Sequence, residues 1–238
     1  MLYLYHTIIY QPLLNILIFF YNTVAFRDLG VAIILLTVLI RFALYPLFNK
    51  SARHQMIMVK LQPKLKEIQE THKHDREKQA QATMSLYKEH GINPFSGFLL
   101  LLVQLPVLIA LYQIFLRILN TTSLVDLYSF VKAPALMNAS FLGLMDLSQS
   151  SIVMVVLAAL AQYFQARLSI PKSSGQSPSP AERMGRQMAF IGPIITVIIF
   201  YKLPAAVSLY WIVTLLFSII QQLIINRQLS KHELGKIN

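Results

Sequence analysis

The chain has 238 residues, of which 55% are hydrophobic and 13% charged, with a net charge of +11 and no cysteine. Ordinary soluble domains carry about 25% charged residues, so this composition argues against a soluble protein and indicates a membrane protein. The absence of cysteine excludes disulfide bonds, thiolate metal sites and lipid attachment through cysteine.

The first 28 residues are predicted to form an N-terminal interfacial amphipathic helix on the extracytoplasmic side. They lack a basic start and a small-residue cleavage site, so they do not resemble a standard signal peptide. The segment is apolar and aromatic but also contains His6, Gln11 and Asn15. Its tyrosines suit the headgroup zone of a bilayer, which favours an interfacial position over the alternative of a sixth span.

Five later segments are apolar enough to cross the membrane, since about 30 Å of hydrocarbon takes roughly 20 helical residues. The last two form one apolar stretch that Lys202-Leu203-Pro204 interrupts with a polar residue and a helix breaker. The third span centres on residues 151–164 with an upstream extension to Phe141, and the third and fourth look short, which suits a locally thin bilayer. The predicted spans are 29–49, 94–118, 141–167, 188–203 and 204–226.

The connecting segments differ in character. Residues 119–140 are predicted to form an extracytoplasmic loop. Residues 168–187 are predicted to form a cytoplasmic linker, whose Ser/Pro/Gly-rich part (171–180) is flexible. Residues 227–238 are predicted to form a short basic cytoplasmic tail. Residues 50–93 are predicted to form a cytoplasmic helical hairpin that turns at 71–74, with Asp75 as the N-cap of its second helix. Its apolar stripes are Met58, Leu61, Leu65 and Ile68 on the first helix and Ala80, Met84 and Tyr87 on the second.

The distribution of basic residues orients the protein. Sixteen Lys and Arg residues fall in 49–93, 167–187 and the tail, whereas the opposite side has four: Arg27, Arg117, Lys132 and Lys202. Positive-inside bias therefore predicts an N-terminus outside and a C-terminus in the cytoplasm. The positive charge is mainly a topology signal, with contacts to anionic lipid or ribosomal RNA as a secondary role.

Arg41 lies within the apolar run from Gly30 to Leu47, and all ten carboxylates of the chain fall outside the predicted spans. A cation in hydrocarbon costs about 2.5–3.5 kcal/mol on insertion scales, so it needs a partner or water. Arg41 therefore snorkels to the headgroups, faces a wet cavity, or awaits a negative group from another molecule. Thr37 and Tyr45, at i−4 and i+4, are predicted to share its helix face.

Other predicted spans also carry polar side chains. Trp211, Thr214, Ser218 and Gln221 share one face of the fifth span, Gln162 and Gln165 share a face of the third, and Gln104 lies in the second. If these faces converge they form a hydrophilic groove, because amides facing hydrocarbon would be unsatisfied. The alternative is that such groups only bond their own or a neighbouring helix.

Nothing in the sequence indicates catalysis. The histidines lack metal-ligand spacing with carboxylates, and no zinc-protease, serine-hydrolase or phosphate-loop motif occurs. We therefore expect no enzyme activity, no metal and no cofactor.

Six motifs, taken in chain order, make the chain similar to the YidC family of membrane protein insertases. They are Thr37-x3-Arg41-x4-Pro46, LYKEHGINP at 86–94, Gln104-Leu105-Pro106 with Ala110-Leu111-Tyr112, Asp146-Leu147, Phe164-Gln165-Ala166-Arg167, and Pro204 to Trp211 with Gln221-Gln222. Three features depart from the family pattern. Phe98-Leu99-Leu100 follows Gly97 where the family has Cys-x-Pro, Ala206 replaces a glycine, and the sequence shows no large outside domain.

The resemblance implies an all-α polytopic membrane protein with a five-helix core and a groove open to cytoplasm and lipid. In that family the first-span arginine attracts acidic or hydrophilic parts of a client, a role that falls here on Arg41. The predicted client-binding groove comprises Arg41, Thr37, Tyr45, Gln104, Gln162, Gln165, Trp211, Thr214 and Ser218.

The implied function is nucleotide-independent insertion of client segments by a multi-pass protein of the bacterial inner membrane. Its expected partners are nascent membrane proteins, the ribosome, the Sec translocon and anionic phospholipids, and it is expected to act as a monomer. Two alternatives remain. A small-anion transporter or channel would use Arg41 as an anion site and show inverted repeats or broken helices. A lipid-bound structural subunit would use its polar faces only to hold helices together.

Overall fold

The computed structural model describes residues 2–93, 96–120, 124, 126–169 and 180–234, and helices dominate them. The N-terminal helix has three contiguous parts: α1 (Leu2–Tyr5), a π-helical turn (His6–Tyr10) and α2 (Gln11–Thr23). The other elements are α3 (Leu29–Ala43), α4 (Tyr45–Lys60), α5 (Gln62–Thr71), α6 (Arg76–Glu89), α7 (Ser96–Asn120), β1 (Ser140–Phe141), β2 (Met145–Asp146), α8 (Ile152–Leu168), α9 (Pro180–Phe200) and α10 (Ala205–Leu234).

The N-terminal helix packs on α3 through a buried face that includes Leu14, Leu17 and Tyr21. Residues Tyr3–Thr23 are long and apolar enough to cross a membrane, as are Leu102–Leu119 and Ala205–Gln228. The buried Asn15 ties this helix to the following loop, because its amide donates to the Asp126 carbonyl (3.0 Å) and accepts from the Tyr128 N–H (2.6 Å). Whether the helix lies at the interface or spans the bilayer stays a prediction.

The predicted first span is not one straight helix. It ends at Ala43, and after Leu44 the chain continues as α4 at an angle of 69°. Pro46 lies in the first turn of α4, where it has no N–H to donate and its ring clashes with the preceding turn. The bend thus falls inside the predicted span 29–49, and where that span leaves the membrane stays a prediction.

The third predicted span is also shorter than expected. The extension upstream to Phe141 is wrong, because Ser140–Phe141 pairs antiparallel with Met145–Asp146 around a turn at Leu142 and Gly143. Both turn residues have positive φ, which a right-handed helix cannot accommodate. Helix α8 begins at Ile152, after Ser151 as N-cap.

The predicted break between the last two spans is confirmed, since α9 ends at Phe200 and α10 starts at Ala205. Both helices extend beyond the predicted spans, because their polar ends continue the helix: α9 begins at Pro180 and α10 runs to Leu234. Helix α10 is central and packs against α3, α4, α7 and α8. Residues 170–179 of the predicted linker and 235–238 of the tail lie outside the described residues, as do Pro94 and Phe95.

The hairpin has its own small core. Leu61 and Leu65 pack with Leu86 and Ile92, while Met58 and Ile68 lie at the edge, which confirms the first predicted stripe. The second stripe is wrong in part: Ala80 and Met84 are exposed, and Leu86 is the buried residue of α6.

Asp75 caps α6 as predicted from the sequence. Its carboxylate accepts a hydrogen bond from the Lys78 backbone N–H at 3.0 Å and forms an ion pair with the Lys78 ammonium at 3.2 Å. These interactions, led by the bond from the backbone N–H, hold the pKa of Asp75 below its usual value. The cap is therefore present at neutral pH and is lost only in acid.

We expect Gly30→Ala to destabilise the bundle, because a methyl group there would overlap the Phe141 ring. Overpacking of this kind costs about 1–3 kcal/mol. Thermal unfolding in detergent measures the effect, and Phe141→Ala in the same chain should restore the transition by removing the obstructing ring. Gly192→Ala is the matched control, because a methyl group there meets only the flexible end of Gln162. Equal unfolding temperatures for Gly30→Ala and wild type would contradict the expected overlap.

Candidate functional site

Arg41 lies buried between α3 and α10, with only 5% of the residue exposed. Its Nη2 donates to the Thr214 carbonyl of α10 at 3.0 Å, and its guanidinium carbon lies 4.3 Å from the centre of the Phe48 ring on α4. The side chain is therefore enclosed by three helices. It does not reach an exposed surface, as simple snorkelling would require.

The guanidinium is incompletely paired. Arg41 forms no ion pair with any of the described residues. Its buried Nη1 forms no hydrogen bond within the part of the chain that the structure describes. A buried cation with one carbonyl and one aromatic ring has lost much of its hydration without a counter-charge. An anionic group would pair well at this position.

Two other predicted residues lie beside Arg41. Ser218 Oγ donates to the Thr214 carbonyl at 3.0 Å, so that carbonyl accepts hydrogen bonds from both Arg41 and Ser218. Thr37 is buried and its hydroxyl donates to the Ile33 carbonyl of its own helix at 2.6 Å. In this conformation both hydroxyls bond helix carbonyls, as the alternative interpretation of the polar faces expects.

Trp211 and Gln162 form a second polar cluster. The Gln162 side-chain oxygen accepts hydrogen bonds from Thr196 of α9 and from the Trp211 indole N–H, the latter at 3.3 Å. The Trp211 ring also packs edge-on against Phe200. Trp211 and Thr214, predicted to share one face of α10, thus have partners on different helices: the Trp211 side chain contacts α8 and α9, and the Thr214 backbone carbonyl accepts from Arg41 of α3.

Among the described residues, no hydrogen bond joins Gln104, Tyr45 or Gln165 to the guanidinium. Gln104 of α7 donates to the Tyr210 hydroxyl on α10. Tyr45 follows the bend at Leu44, so the predicted straight face through Thr37, Arg41 and Tyr45 is interrupted. The Gln165 side chain is half-buried, and its backbone carbonyl accepts from Ser169 Oγ at 3.1 Å.

Three residues near the site were not predicted from the sequence. Tyr210 is fully buried and pairs with Gln104, and its presence in the Leu-Tyr-Trp motif was the available signal. Gln222 donates to Ser169 Oγ at the end of α8 (2.9 Å). It lies one turn after Ser218 on the predicted polar face of α10, and the Gln221-Gln222 pair was its sequence signal. Phe48 had no sequence signal, because it contacts Arg41 only through the bend that separates α3 from α4.

Comparison with known sequences identifies the family. A family model described as "60Kd inner membrane protein" matches residues 19–232. A protein of Magnetococcus marinus named membrane protein insertase YidC is 35% identical over 224 residues, which cover 94% of this chain and 36% of that protein. A protein of the same name from Francisella tularensis subsp. novicida is 37% identical over 198 residues, covering 83% of this chain and 32% of that protein. The chain thus spans about a third of the length of these relatives.

A solved structure supports the same relationship. This chain superposes on the crystal structure of an active YidC insertase with its first transmembrane domain resolved, with a TM-score of 0.62 and 26% sequence identity. The match covers 89% of this chain and 45% of that chain. The fold is all-α and polytopic, with apolar helices of an inner-membrane multi-pass protein. The names of the relatives describe membrane insertion and not a catalysed covalent reaction. The chain belongs to the YidC insertase family, the family described as 60Kd inner membrane protein.

Proposed function

We propose that this chain inserts hydrophobic segments of client proteins into the bilayer, and that Arg41 receives an acidic or hydrophilic part of the client. The observation that carries the proposal is the incomplete pairing of Arg41. It is a buried cation on α3 with no ion pair among the described residues and an unbonded Nη1. The family membership of the chain supports membrane insertion as the activity, since its relatives carry the name insertase.

The physical contribution of Arg41 is electrostatic. Opposite charges 4 Å apart attract by about 4 kcal/mol at an effective dielectric constant of 20, against about 1 kcal/mol in water. A client carboxylate beside Arg41 is thereby compensated for part of its lost hydration. The apolar area of the client then drives its transfer into lipid, at about 25 cal/mol per Å². No step in this sequence requires nucleotide hydrolysis.

Polar groups on the other helices would extend the site into a groove. Thr37, Ser218 and Thr214 surround Arg41, while Gln162 and Trp211 form the second polar cluster between α8, α9 and α10. Gln104, Gln165 and Tyr45 would complete the groove when the helices separate. The hydroxyls of Thr37 and Ser218 bond helix carbonyls, which water or a client group can replace at little cost. The buried Thr214 Oγ1 forms no hydrogen bond with any described residue and is open to such a partner.

Two short helices favour a thinned bilayer around the site. Helix α8 has 17 residues, about 25 Å of helix, and the apolar part of α9 is only Ala189–Phe200. Both are shorter than the roughly 30 Å of hydrocarbon that they border. A thinner bilayer shortens the distance that a polar tail must cross.

The basic hairpin orients the protein in this proposal. Its exposed cations include Lys60, Lys64 and Arg76, and it would lie in the cytoplasm with the N-terminus outside. There it could contact anionic lipid, the ribosome or the Sec translocon. We propose that the monomer is active, because the Arg41 site is formed by helices of a single chain.

The test is insertion into proteoliposomes that contain only this protein and lipid. The substrate is a single-span client whose short N-terminal tail carries aspartate residues, with an otherwise identical asparagine tail as its control. We expect the protein to make the tail protease-resistant without ATP or GTP, and more rapidly for the aspartate form. Insertion equal to that of protein-free liposomes, for both clients, would overturn the proposal.

A transporter or channel is the second candidate, because the bend after Ala43 gives one discontinuous helix. The same proteoliposomes distinguish it, since an anion transporter would release trapped chloride or phosphate when the outside anion is diluted. The amphipathic α4 that follows the bend, with Lys50 and Arg53 exposed, favours the insertase.

A further inference from the structure

Large apolar side chains are exposed at one end of the bundle. This loop end comprises the turn at 24–28, the loop at 126–151 and the turn at 201–204. Phe26 is 92% exposed, Leu136 84% and Leu144 86%, and Phe130 and Leu142 are also mostly exposed. Exposed apolar groups scattered singly are ordinary, but a group of five on adjoining loops indicates a contact surface.

Hydrogen bonds join the three segments into one surface. The Leu142 N–H donates to Asp28 at 2.5 Å, and the Asn22 amide donates to the Lys132 carbonyl at 2.8 Å. At the other turn, the Ala205 N–H donates to the Gln149 carbonyl at 2.9 Å. The exposed apolar side chains are therefore held at the same end of the molecule.

The tips are held rigidly with their apolar side chains outward. Leu142 and Phe26 both have φ of 52°, which bulky residues rarely adopt. Leu142 is fixed by the β1–β2 pairing and by Asp28, whose other oxygen caps α3 at the Val31 N–H (2.9 Å). Phe141 beside it is wedged against Gly30 of α3. A loop held in this way does not turn its leucines inward.

Lipid is the occupant that the surroundings favour. The exposed leucines of the β-turn are separated by the polar stretch 146–151 from Ile152 and Val153 at the start of α8. The exposed apolar side chains of α8 face the hydrocarbon of a spanning bundle. On the neighbouring turn the exposed Tyr201 has a side chain typical of the membrane interface. Three exposed cations lie on the same loops, where they can meet lipid phosphates: Arg27, Lys132 and Lys202.

We propose that the loop end is a membrane-interface surface. The side chains that enter the boundary between headgroups and acyl chains of the leaflet on that side are those of Phe26, Leu136, Leu142 and Leu144. The three cations lie at phosphate level. Helix α8 and the apolar part of α9 are too short to keep these loops clear of an unperturbed bilayer. The inserted apolar side chains therefore fix the depth of the loop end in the bilayer. This role does not depend on whether Arg41 binds clients.

The absence of native cysteine makes a direct test simple, since single cysteines can carry a nitroxide without background labelling. Leu144→Cys and Leu136→Cys are labelled in the full chain in lipid nanodiscs, and electron paramagnetic resonance measures collisions with oxygen and with a water-soluble nickel chelate. We expect depths of about 5–10 Å below the phosphates, as for interfacial apolar faces. Ser150→Cys, on an exposed polar residue of the same loop, is the matched control and should report water.

Nickel collision rates at positions 144 and 136 equal to those at position 150 would overturn the proposal, and would leave a protein partner as the occupant. A second measurement guards against perturbation by the label. Leu144→Asp, read out by the label at position 136, should move that position toward water, whereas Ser150→Asp should not. An unchanged depth at position 136 in Leu144→Asp would likewise count against a lipid-inserted surface.

Discussion

Arg41→Ala is expected to slow insertion of a client with an acidic tail by about tenfold or more. The estimate follows from the roughly 3 kcal/mol difference between ion pairing in a partly desolvated site and in water, discounted by half for residual solvation. The asparagine-tailed client should be affected much less, because it brings no charge. The measurement is the initial rate of tail protection in proteoliposomes with equal protein content.

Two further variants separate charge from general damage. Arg41→Lys keeps the charge but loses the planar group that reaches Thr214 while stacking on Phe48, so it should recover only part of the rate. Arg53→Ala removes an exposed arginine from α4 and should insert both clients at the wild-type rate. If Arg41→Ala slowed the aspartate and asparagine clients equally, the residue would have a structural role and would not recognise charge.

Local sequence signals predicted much of the helical framework. The break at Lys202-Leu203-Pro204, the Asp75 cap and the stripe through Leu61 and Leu65 all depend on residues within a few positions of each other. The boundaries that failed depend on tertiary contacts. Residues upstream of α8 are apolar enough for a span, yet Phe141 pairs with Met145 and packs against Gly30.

The candidate site shows the same division. The absence of an acidic partner for Arg41 could be read from the positions of the ten carboxylates. Trp211 and Thr214 do have the helical spacing on which the prediction of a shared face depends. Because α10 is surrounded by other helices, however, neighbouring positions of one stripe contact different helices. Helix periodicity cannot predict which neighbour lies against which edge of a stripe.

The bend between α3 and α4 has a consequence for access to Arg41. Because α4 leaves at 69°, the Phe48 ring comes to lie over one face of the guanidinium. Nη1 is buried, so a client carboxylate can reach it only when a neighbouring side chain or helix moves. Phe48 therefore both compensates the unpaired cation and covers it. In the proposed function, displacement of Phe48 precedes pairing with the client.

Phe48→Ala is accordingly expected to raise the reactivity of Arg41 toward phenylglyoxal, an arginine-specific reagent, by about tenfold. A desolvated cation–π contact contributes about 1–2 kcal/mol, and its loss shifts the balance toward exposed conformations by a corresponding factor. Mass spectrometry of the protein in nanodiscs measures modification at Arg41. The exposed Arg53 in the same sample provides the internal standard.

Phe42→Ala is the matched control, because it removes a phenylalanine adjacent to Arg41 in sequence without uncovering it. Phe42 is exposed and packs edge-on against Phe217, with ring centres 5.4 Å apart, so its loss leaves the Phe48 ring in place. Equal modification of Arg41 in wild type and Phe48→Ala would show that the ring does not limit access. Increased modification in both variants would instead indicate general loosening of α3 against α10. Only an increase confined to Phe48→Ala supports an aromatic cover over the cation.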